Sequence, residues 1–238
     1  MTRFSPIKSG SCTQTANTQL VTRNPTNNDN KESLTPLFLR PNEPDKPTMT
    51  LWKQEIDKLS SILHGISFLG YDGTEYSVDE GFRIWQELTI DVREKKRSIY
   101  LIGNGASASM ASHFAADLAK NAHLHTEVFS DLSLITAISN DMGYEWVFAE
   151  PLRRRAKKGD MLVAISSSGA SKNILNAVEV AREIGLKIIT LSAMSSENPL
   201  RSSGDLNIYV PAETYGYAET CHAAILHHWM DMVENKES

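Results

Sequence analysis

One stretch of the chain, residues 98–121, most constrains how the rest can fold. It begins with SIYLIG, a short β-rich apolar run that predicts a buried strand. A glycine turn follows at residues 103–105, and the segment after it has apolar residues at helical spacing: Met110, Phe114 and Leu118. A strand, a tight turn and a helix N-terminus together form an anion site, because free N–H groups and the positive end of the helix dipole converge there.

Further apolar patterns alternate between strand and helix. Predicted strands follow at 132–139, 161–166, 187–192 and 206–212, and predicted helices at 144–157, 172–184 and 213–234. Two amphipathic helices precede this core, one from Leu51 and one after Ser77, where Ser77 and Glu80 match a capping box. Strands that alternate with helices indicate a parallel sheet with helices on both faces, and ligands bind such sheets beyond the carboxyl ends of the strands.

Charge and cysteine content exclude several classes of function. The formal net charge of the 238 residues is −5, so the chain has no general basic field for nucleic acid. No apolar run approaches the roughly 20 residues of a membrane span, so we expect no membrane partner. The two cysteines, Cys12 and Cys221, do not make a disulfide framework and fit a reducing compartment, so we expect a cytoplasmic protein.

The N-terminal segment differs in composition from the rest. Residues 1–48 are rich in Thr, Asn, Ser and Pro and show no sustained period. Stretches such as PTNNDNKES cannot bury much apolar surface, so we predict a disordered extension. The first ordered pattern begins at Met49, and we predict a single domain over residues 49–238.

A second anion site is predicted in a serine cluster that follows the strand at 161–166. Serine hydroxyls and the N–H groups of a turn that opens a helix offer neutral donors to phosphate oxygens. The cluster consists of Ser166, Ser167, Ser168 and Ser171. A turn followed by a helix N-cap has the same composition, so both interpretations stay open from these residues alone.

Two predicted helices carry titratable side chains at helical spacing. His113 and Asp117 are four residues apart and share one face, as metal ligands, as an acid–base pair or as ordinary surface residues. On the last helix Glu219 and His227 are eight residues apart on about one face, with His222 between them. Two imidazoles and two carboxylates from two helices make a four-ligand set that zinc accepts.

Four segments together resemble the sugar isomerase (SIS) domain family, most closely its phosphoheptose isomerases. In the family's order, within residues 51–234, they are GNGASASMASHFAADL, LITAISNDMGYEWVF, GDMLVAISSSGASKNILNAVEVAREIGLKIITL and ETCHAAILHH. The resemblance implies a flavodoxin-like three-layer α/β fold with a five-stranded parallel sheet after the N-terminal helices. It also implies a homotetramer with active sites between subunits.

By position, the resemblance implies phosphate ligands, sugar ligands and a metal site. The implied phosphate ligands are Ser107, Ser166, Ser168 and Ser171, with Ser167 in the same loop. The residues implied to line the sugar site are Asn104, Gly105, Ala106, Asn140 and Asp141, with Glu219 also counted among the substrate ligands. The implied zinc positions, for one zinc per subunit, are His113, Asp117, Glu219 and His227.

Three positions depart from the family pattern. The family's base is normally Glu and here is Asp117, a Gln of the zinc site becomes Glu219, and Ala106 replaces a usual Gly. Because proton abstraction needs hydrogen-bond reach, the shorter base bears on the rate and on the choice of sugar. His222 remains an alternative to His227 as the acid/base partner.

The activity that the resemblance implies is aldose–ketose isomerisation of a phosphorylated sugar through a cis-enediol. The family substrate is sedoheptulose 7-phosphate, which gives D-glycero-D-manno-heptose 7-phosphate, with Asp117 and His227 as the acid/base pair. The alternative is a non-catalytic module of the same fold that binds a phosphosugar or a protein.

Overall fold

The structure, a computed structural model, describes residues 51–234. The predicted disordered extension, residues 1–48, lies outside the described residues, so the division at Met49 stays a prediction. No helix within 51–234 combines the length and the apolar character that crossing a membrane requires.

The centre of the fold is a mixed sheet whose order within residues 51–234 is β2-β1-β7-β6-β5-β3-β4. Its strands are β1 (Ser67–Gly70), β2 (Glu75–Tyr76), β3 (Ser98–Gly103), β4 (His125–Glu127), β5 (Met161–Ser166), β6 (Lys187–Ala193) and β7 (Leu206–Val210). The last five are parallel, in the flavodoxin-like order, which confirms the predicted fold class. The hairpin β1–β2, whose turn is the YDGT segment, extends this sheet antiparallel to β7 and was missed from the sequence.

Helices cover both faces of the sheet. They are α1 (Trp52–His64), α2 (Val78–Glu94), α3 (Ala106–Asn121), α4 (Leu132–Asp141), α5 (Ala149–Arg155), α6 (Lys172–Ile184) and α7 (Tyr215–Val233). Successive side chains of β3 point to opposite faces, so Ile99 and Leu101 join the core under α2, α3 and α7, while Tyr100 and Ile102 join the core under α5 and α6. The two cores make the predicted three-layer arrangement.

The prediction of a strand at 132–139 was wrong, because this segment is helix α4. The Asp131 carboxylate accepts a hydrogen bond from Leu134 N at 2.9 Å and so caps the first turn. Leu134, Ile135 and Ile138 then share one helix face and pack on the core of α5 and α6. The strand of this βα unit is β4, a three-residue edge strand that carries no apolar run.

The helix predicted at 144–157 is interrupted. A 3₁₀ turn spans Tyr144–Trp146, and α5 begins only at Ala149. Val147, Phe148 and Leu152 are buried on the same side, so packing of these side chains sets the break. Tyr144 itself is exposed, beside the residue that follows β3 and the start of α6.

Helix α7 is held in place by a stack of two tryptophans. The rings of Trp85, on α2, and Trp229, on α7, lie 4.2 Å apart between centroids and nearly parallel. The indole Nε1–H of Trp229 donates to Thr89 Oγ1 at 3.0 Å, and that hydroxyl donates to the Trp85 carbonyl at 2.7 Å. The buried Trp229 N–H thus has a partner, whereas the buried Nε1–H of Trp85 has none within the described residues. Ring stacking and the bond to Thr89 together fix α7 on α2.

His222, on α7, belongs to this core. Its side chain is fully buried, its Nε2–H donates to the Ser192 carbonyl at 3.3 Å, and its Nδ1 has no partner within the described residues. Burial lowers the pKa of His222 from 6.5 to about 4. This imidazole is therefore neutral at physiological pH and has no contact with solvent.

The buried imidazole predicts a specific loss of stability in acid. Below pH 6.5 the unfolded chain takes up a proton at His222, whereas the folded chain does so only near pH 4. The free energy of unfolding should thus fall between pH 6.5 and pH 4, by up to about 3 kcal/mol from this group, and the contribution should vanish above pH 7. Urea unfolding at pH 7 and pH 4.5 measures it.

The comparison needs two variants. His222→Gln removes the titration, so the difference between the two pH values should shrink relative to wild type. His228→Gln removes an exposed imidazole of the same helix and should keep the wild-type difference. An unchanged pH dependence in His222→Gln would refute the assignment.

Candidate active site

The glycine turn joins β3 to α3 and fixes the N-terminus of that helix. Gly105 has φ +55° and ψ −124°, a conformation that side-chain-bearing residues rarely adopt. Gly103 lies so close to α3 that a Cβ there would stand 2.6 Å from the Ser107 carbonyl carbon. The helix therefore begins directly against the strand end, with Ser107 buried in its first turn.

The serine cluster forms the equivalent junction between β5 and α6. Ser166 ends β5, Gly169 N donates to the Ser166 carbonyl at 2.9 Å, and α6 begins at Lys172. Ser171 occupies the N-cap position of α6, yet its side chain caps no backbone N–H group. Its hydroxyl instead accepts a hydrogen bond from Ser166 Oγ at 3.3 Å. Ser171 is thus not the capping side chain that the alternative interpretation needs.

The two junctions meet because β3 and β5 are neighbours. Gly103 pairs with Ile165, so both loops leave the same edge of the sheet. Between them lies a cavity of about 150 Å³, here called the serine cavity, whose polar lining is Asn104, Ser107, Ser166, Ser167, Ser168, Ser171, Tyr215 and Glu219. No lysine or arginine is among these lining residues, and Glu219 is their one carboxylate. An anion that binds here therefore depends on neutral donors and two helix N-termini, away from Glu219.

Asn104 stands between the serine cavity and a second one. The second cavity, of about 210 Å³, lies between the glycine turn and α4, and its lining includes Gly105, Ala108, Phe129, Ser130 and Tyr144. Asn104 lines both. A ligand whose anion sits among the serines would thus have a half-apolar space beside it, on the far side of one amide.

The predicted titratable residues fall into two groups. On α3, His113 Nε2 lies 3.5 Å from Asp117 Oδ2, and the ring of His227, on α7, lies 5.6 Å from the His113 ring between centroids. Lys120 Nζ lies 3.7 Å from the other Asp117 oxygen, a contact missed from the sequence. Glu219 lies instead at the serine cavity, eight residues or about 12 Å before His227 along α7.

This arrangement does not assemble the predicted metal site within one chain. Among residues 51–234, no three His, Cys, Asp or Glu side chains stand close enough together to hold a metal ion. Histidine and carboxylate side chains suit zinc, but the fourth predicted ligand, Glu219, lies at the serine cavity and not beside the other three. The residues as placed in one chain therefore do not fit zinc.

The remaining predicted sugar ligands are less central. Asn140 and Asp141 are exposed at the end of α4, where Asn140 Nδ2 donates to Asp141 Oδ1 at 2.8 Å. Ala106 is exposed at the start of α3. None of the three is among the lining residues of the two cavities.

Two residues at the site were missed from the sequence. Tyr144 Oη donates to Asn104 Oδ1 at 2.9 Å, and Tyr215 lines the serine cavity from the start of α7. The sequence around Tyr144 predicts an uninterrupted helix, and Tyr215 precedes the part of α7 where Glu219 and His227 are spaced to share one face. Only the fold brings either of them to the strand ends.

Comparison with known proteins places this chain in a family. Residues 79–193 match the SIS domain model. The phosphoheptose isomerase of Helicobacter pylori (strain Shi470) is 35% identical over 164 residues, which are 66% of this chain and 85% of that protein.

Solved structures agree. The phosphoheptose isomerase GmhA from Neisseria gonorrhoeae is 30% identical with a TM-score of 0.61, over 65% of this chain and 86% of that one. A phosphoheptose isomerase from Francisella tularensis shares the fold with a TM-score of 0.65 at 23% identity, over 76% of this chain and 95% of that one. The chain therefore belongs to the phosphoheptose isomerase family of SIS-domain enzymes.

Proposed function

We propose that this protein, a phosphosugar isomerase, interconverts sedoheptulose 7-phosphate and D-glycero-D-manno-heptose 7-phosphate. The observation that carries the proposal is the serine cavity, in which two helix N-termini converge with five serines, one on α3 and four at the end of β5 and in the loop after it. The relatives named phosphoheptose isomerase supply the choice of sugar.

The serine cavity suits a phosphate group. Ser107, Ser168 and Ser171 offer hydroxyl donors, whereas the Ser166 hydroxyl already donates to Ser171. The first turns of α3 and α6 offer N–H groups that no helical carbonyl accepts. Glu219 at the same cavity accepts hydrogen bonds and so suits a hydroxyl of the sugar next to the phosphate. Phosphate binding here supplies energy that orients the rest of the sugar.

Asp117 and His227 are the proposed acid/base pair. The Asp117 carboxylate takes the proton from C1 of the ketose and returns it to C2, while the His227 imidazole moves a proton between the oxygens on those carbons. This sequence forms and consumes a cis-enediol, with no net gain or loss of atoms. His113 and Lys120, both within 4 Å of the Asp117 carboxylate, would hold it in place.

The distance between the two groups supports an active site between subunits. Asp117 follows Ser107 by ten residues on the same helix, or about 15 Å along its axis. A sugar whose phosphate sits at the serines of one chain would have to span this length to reach Asp117 of the same chain. A homotetramer, as the family resemblance implies, would let Asp117 of one subunit complete the serine cavity of another.

Hydrogen exchange in D₂O tests the activity. With sedoheptulose 7-phosphate and the full chain, we expect loss of the C1 proton signal and appearance of the aldose by NMR. Asp117→Asn keeps the size of the side chain but removes the base, so the C1 proton signal should persist and no aldose should form, while the sugar phosphate still binds. The control Asp91→Asn, on the exposed face of α2, should behave as wild type. Full turnover in Asp117→Asn would remove the assigned base.

Absence of exchange with saturable binding of the same sugar would refute the proposed isomerisation of it. That result would favour the binding-module alternative or another phosphosugar.

The serine cavity makes its own prediction. Ser168 is half-buried, and its hydroxyl takes part in one long contact, with Ala170 N at 3.4 Å, so Ser168→Ala should leave the fold intact. Loss of one hydrogen bond to a charged group costs about 1.5–3 kcal/mol, so inorganic phosphate should bind at least about 10-fold more weakly. Isothermal titration calorimetry measures this affinity.

Ser196→Ala is the control for this titration. Ser196 is an exposed serine beyond the end of β6 that does not line the cavity. Its loss should leave phosphate affinity unchanged. Equal affinities in Ser168→Ala and wild type would place the phosphate elsewhere.

One zinc per subunit stays a prediction that needs the assembly, because one chain does not bring Glu219 to the group of His113, Asp117 and His227. Elemental analysis of the purified full chain should find stoichiometric zinc that is lost in His113→Ala and kept in the control His64→Ala. Metal-free protein with full isomerase activity would remove zinc from the proposal and leave the activity standing.

A further inference from the structure

The amide of Asn104 is held by a network that neither the sequence nor the family resemblance singled out. Asn173, the second residue of α6, donates from Nδ2 to Asn104 Oδ1 at 2.9 Å and accepts from Asn104 Nδ2 at 3.0 Å. Tyr144 Oη donates to the same Asn104 Oδ1 at 2.9 Å. Three hydrogen bonds thus converge on one side chain at the junction of the two cavities.

The network leaves one defined group unused. Two donors occupy both acceptor sites of Asn104 Oδ1, and one of its two N–H groups is given to Asn173. The second N–H has no acceptor among residues 51–234, although Asn104 lines the serine cavity. Rotation of the amide would break all three bonds, so the remaining N–H is held in one direction.

Burial makes the pair interdependent. The Asn173 side chain is only 3% exposed, and Asn104 is the partner of both its amide atoms. An amide buried without partners is costly, so Asn173 has no alternative conformation of similar energy. The reciprocal pair joins the glycine turn after β3 to the first turn of α6, two loops whose spacing is already set by the pairing of β3 with β5.

We propose that Asn173 is a positioning residue for the sugar. It fixes Asn104 so that the unused N–H donates to an oxygen of the bound phosphosugar, and Tyr144 locks the same amide from the solvent side. This inference rests on the proposed function for its substrate. The inference goes beyond the proposed function in one respect. It makes recognition of the sugar part of the ligand depend on a buried residue that does not touch the ligand.

A double-mutant cycle tests the assignment with sedoheptulose 7-phosphate. Asn104→Ala and Asn173→Ala should each raise its KM and its dissociation constant about 10-fold, while inorganic phosphate binding changes less than twofold, because the serines are untouched. If Asn173 acts through Asn104, the double variant should be no worse than Asn104→Ala alone. Losses that multiply in the double variant would overturn the proposal, as would an equal loss of phosphate affinity in Asn173→Ala.

Two more variants guard against a trivial loss of structure. Tyr144→Phe removes an exposed hydroxyl and should raise KM about threefold in the wild-type background but not in Asn104→Ala. If Asn173→Ala does not fold, Asn173→Ser takes its place in the first cycle, because serine keeps a polar side chain at the helix start but cannot bond both amide atoms of Asn104. The control Asn176→Ala lies one turn further on α6, where the side chain donates to the Glu145 carbonyl, and should keep wild-type KM.

The outcome can be separated from that of the proposed function. The dissociation constants are measured by calorimetry and do not require turnover. Binding without isomerisation in the wild type would refute the proposed activity, and the cycle on binding would still confirm or overturn the role of Asn173.

Discussion

The parallel pairing of β3 with β5 is the constraint on which the site depends. It is the topological switch point of the sheet, since the chain continues from β3 to β4 on one side and returns to β5 on the other. The register that sets Gly103 opposite Ile165 brings two helix N-termini to one edge. Neither loop could bind a dianion well alone, because the first turn of one helix offers few donors. Together with the serines they surround a cavity that contains no cation among its lining residues.

Helix α7 lines the serine cavity on the side opposite the two loops, and contacts in the core hold the helix in that position. The stack of Trp85 on Trp229 and the bond of Thr89 to the indole fix its C-terminal half, while buried His222 bonds to the carbonyl of Ser192 on β6. Of the proposed site residues on the same helix, Glu219 is half-buried and His227 is exposed. His222 lies on the buried face of α7, so its side chain packs in the core and does not face the serine cavity.

The sequence predicted the fold correctly where the hydrophobic pattern of a segment agrees with its final position in the core. The strands β3, β5, β6 and β7 are apolar runs, and α6 ends at Gly185 as its sequence indicates. It failed where tertiary packing overrides an apolar run, as in α4, and where an edge strand is too short and polar to be read, as in β4. The serines were found because they adjoin buried strands. Asn173 was not, since a lone Asn near a helix start resembles any capping residue until the partner from β3 is known.

The sequence is equally unable to show how Asp117, the proposed base, would contact the substrate. The resemblance draws attention to one missing methylene, in Asp117 where the family has Glu. The distance between the two groups of residues is a larger obstacle to catalysis than the missing methylene, because about 15 Å of helix separates Asp117 from Ser107 in one chain. One methylene changes the position of the carboxylate by far less than about 15 Å. In the proposed assembly, the placement of α3 of one subunit relative to the serine loop of another would therefore decide whether the Asp117 carboxylate contacts the substrate. The shorter side chain is tolerable if that placement is closer, and His113 and Lys120 on either side already restrict where the carboxylate can go.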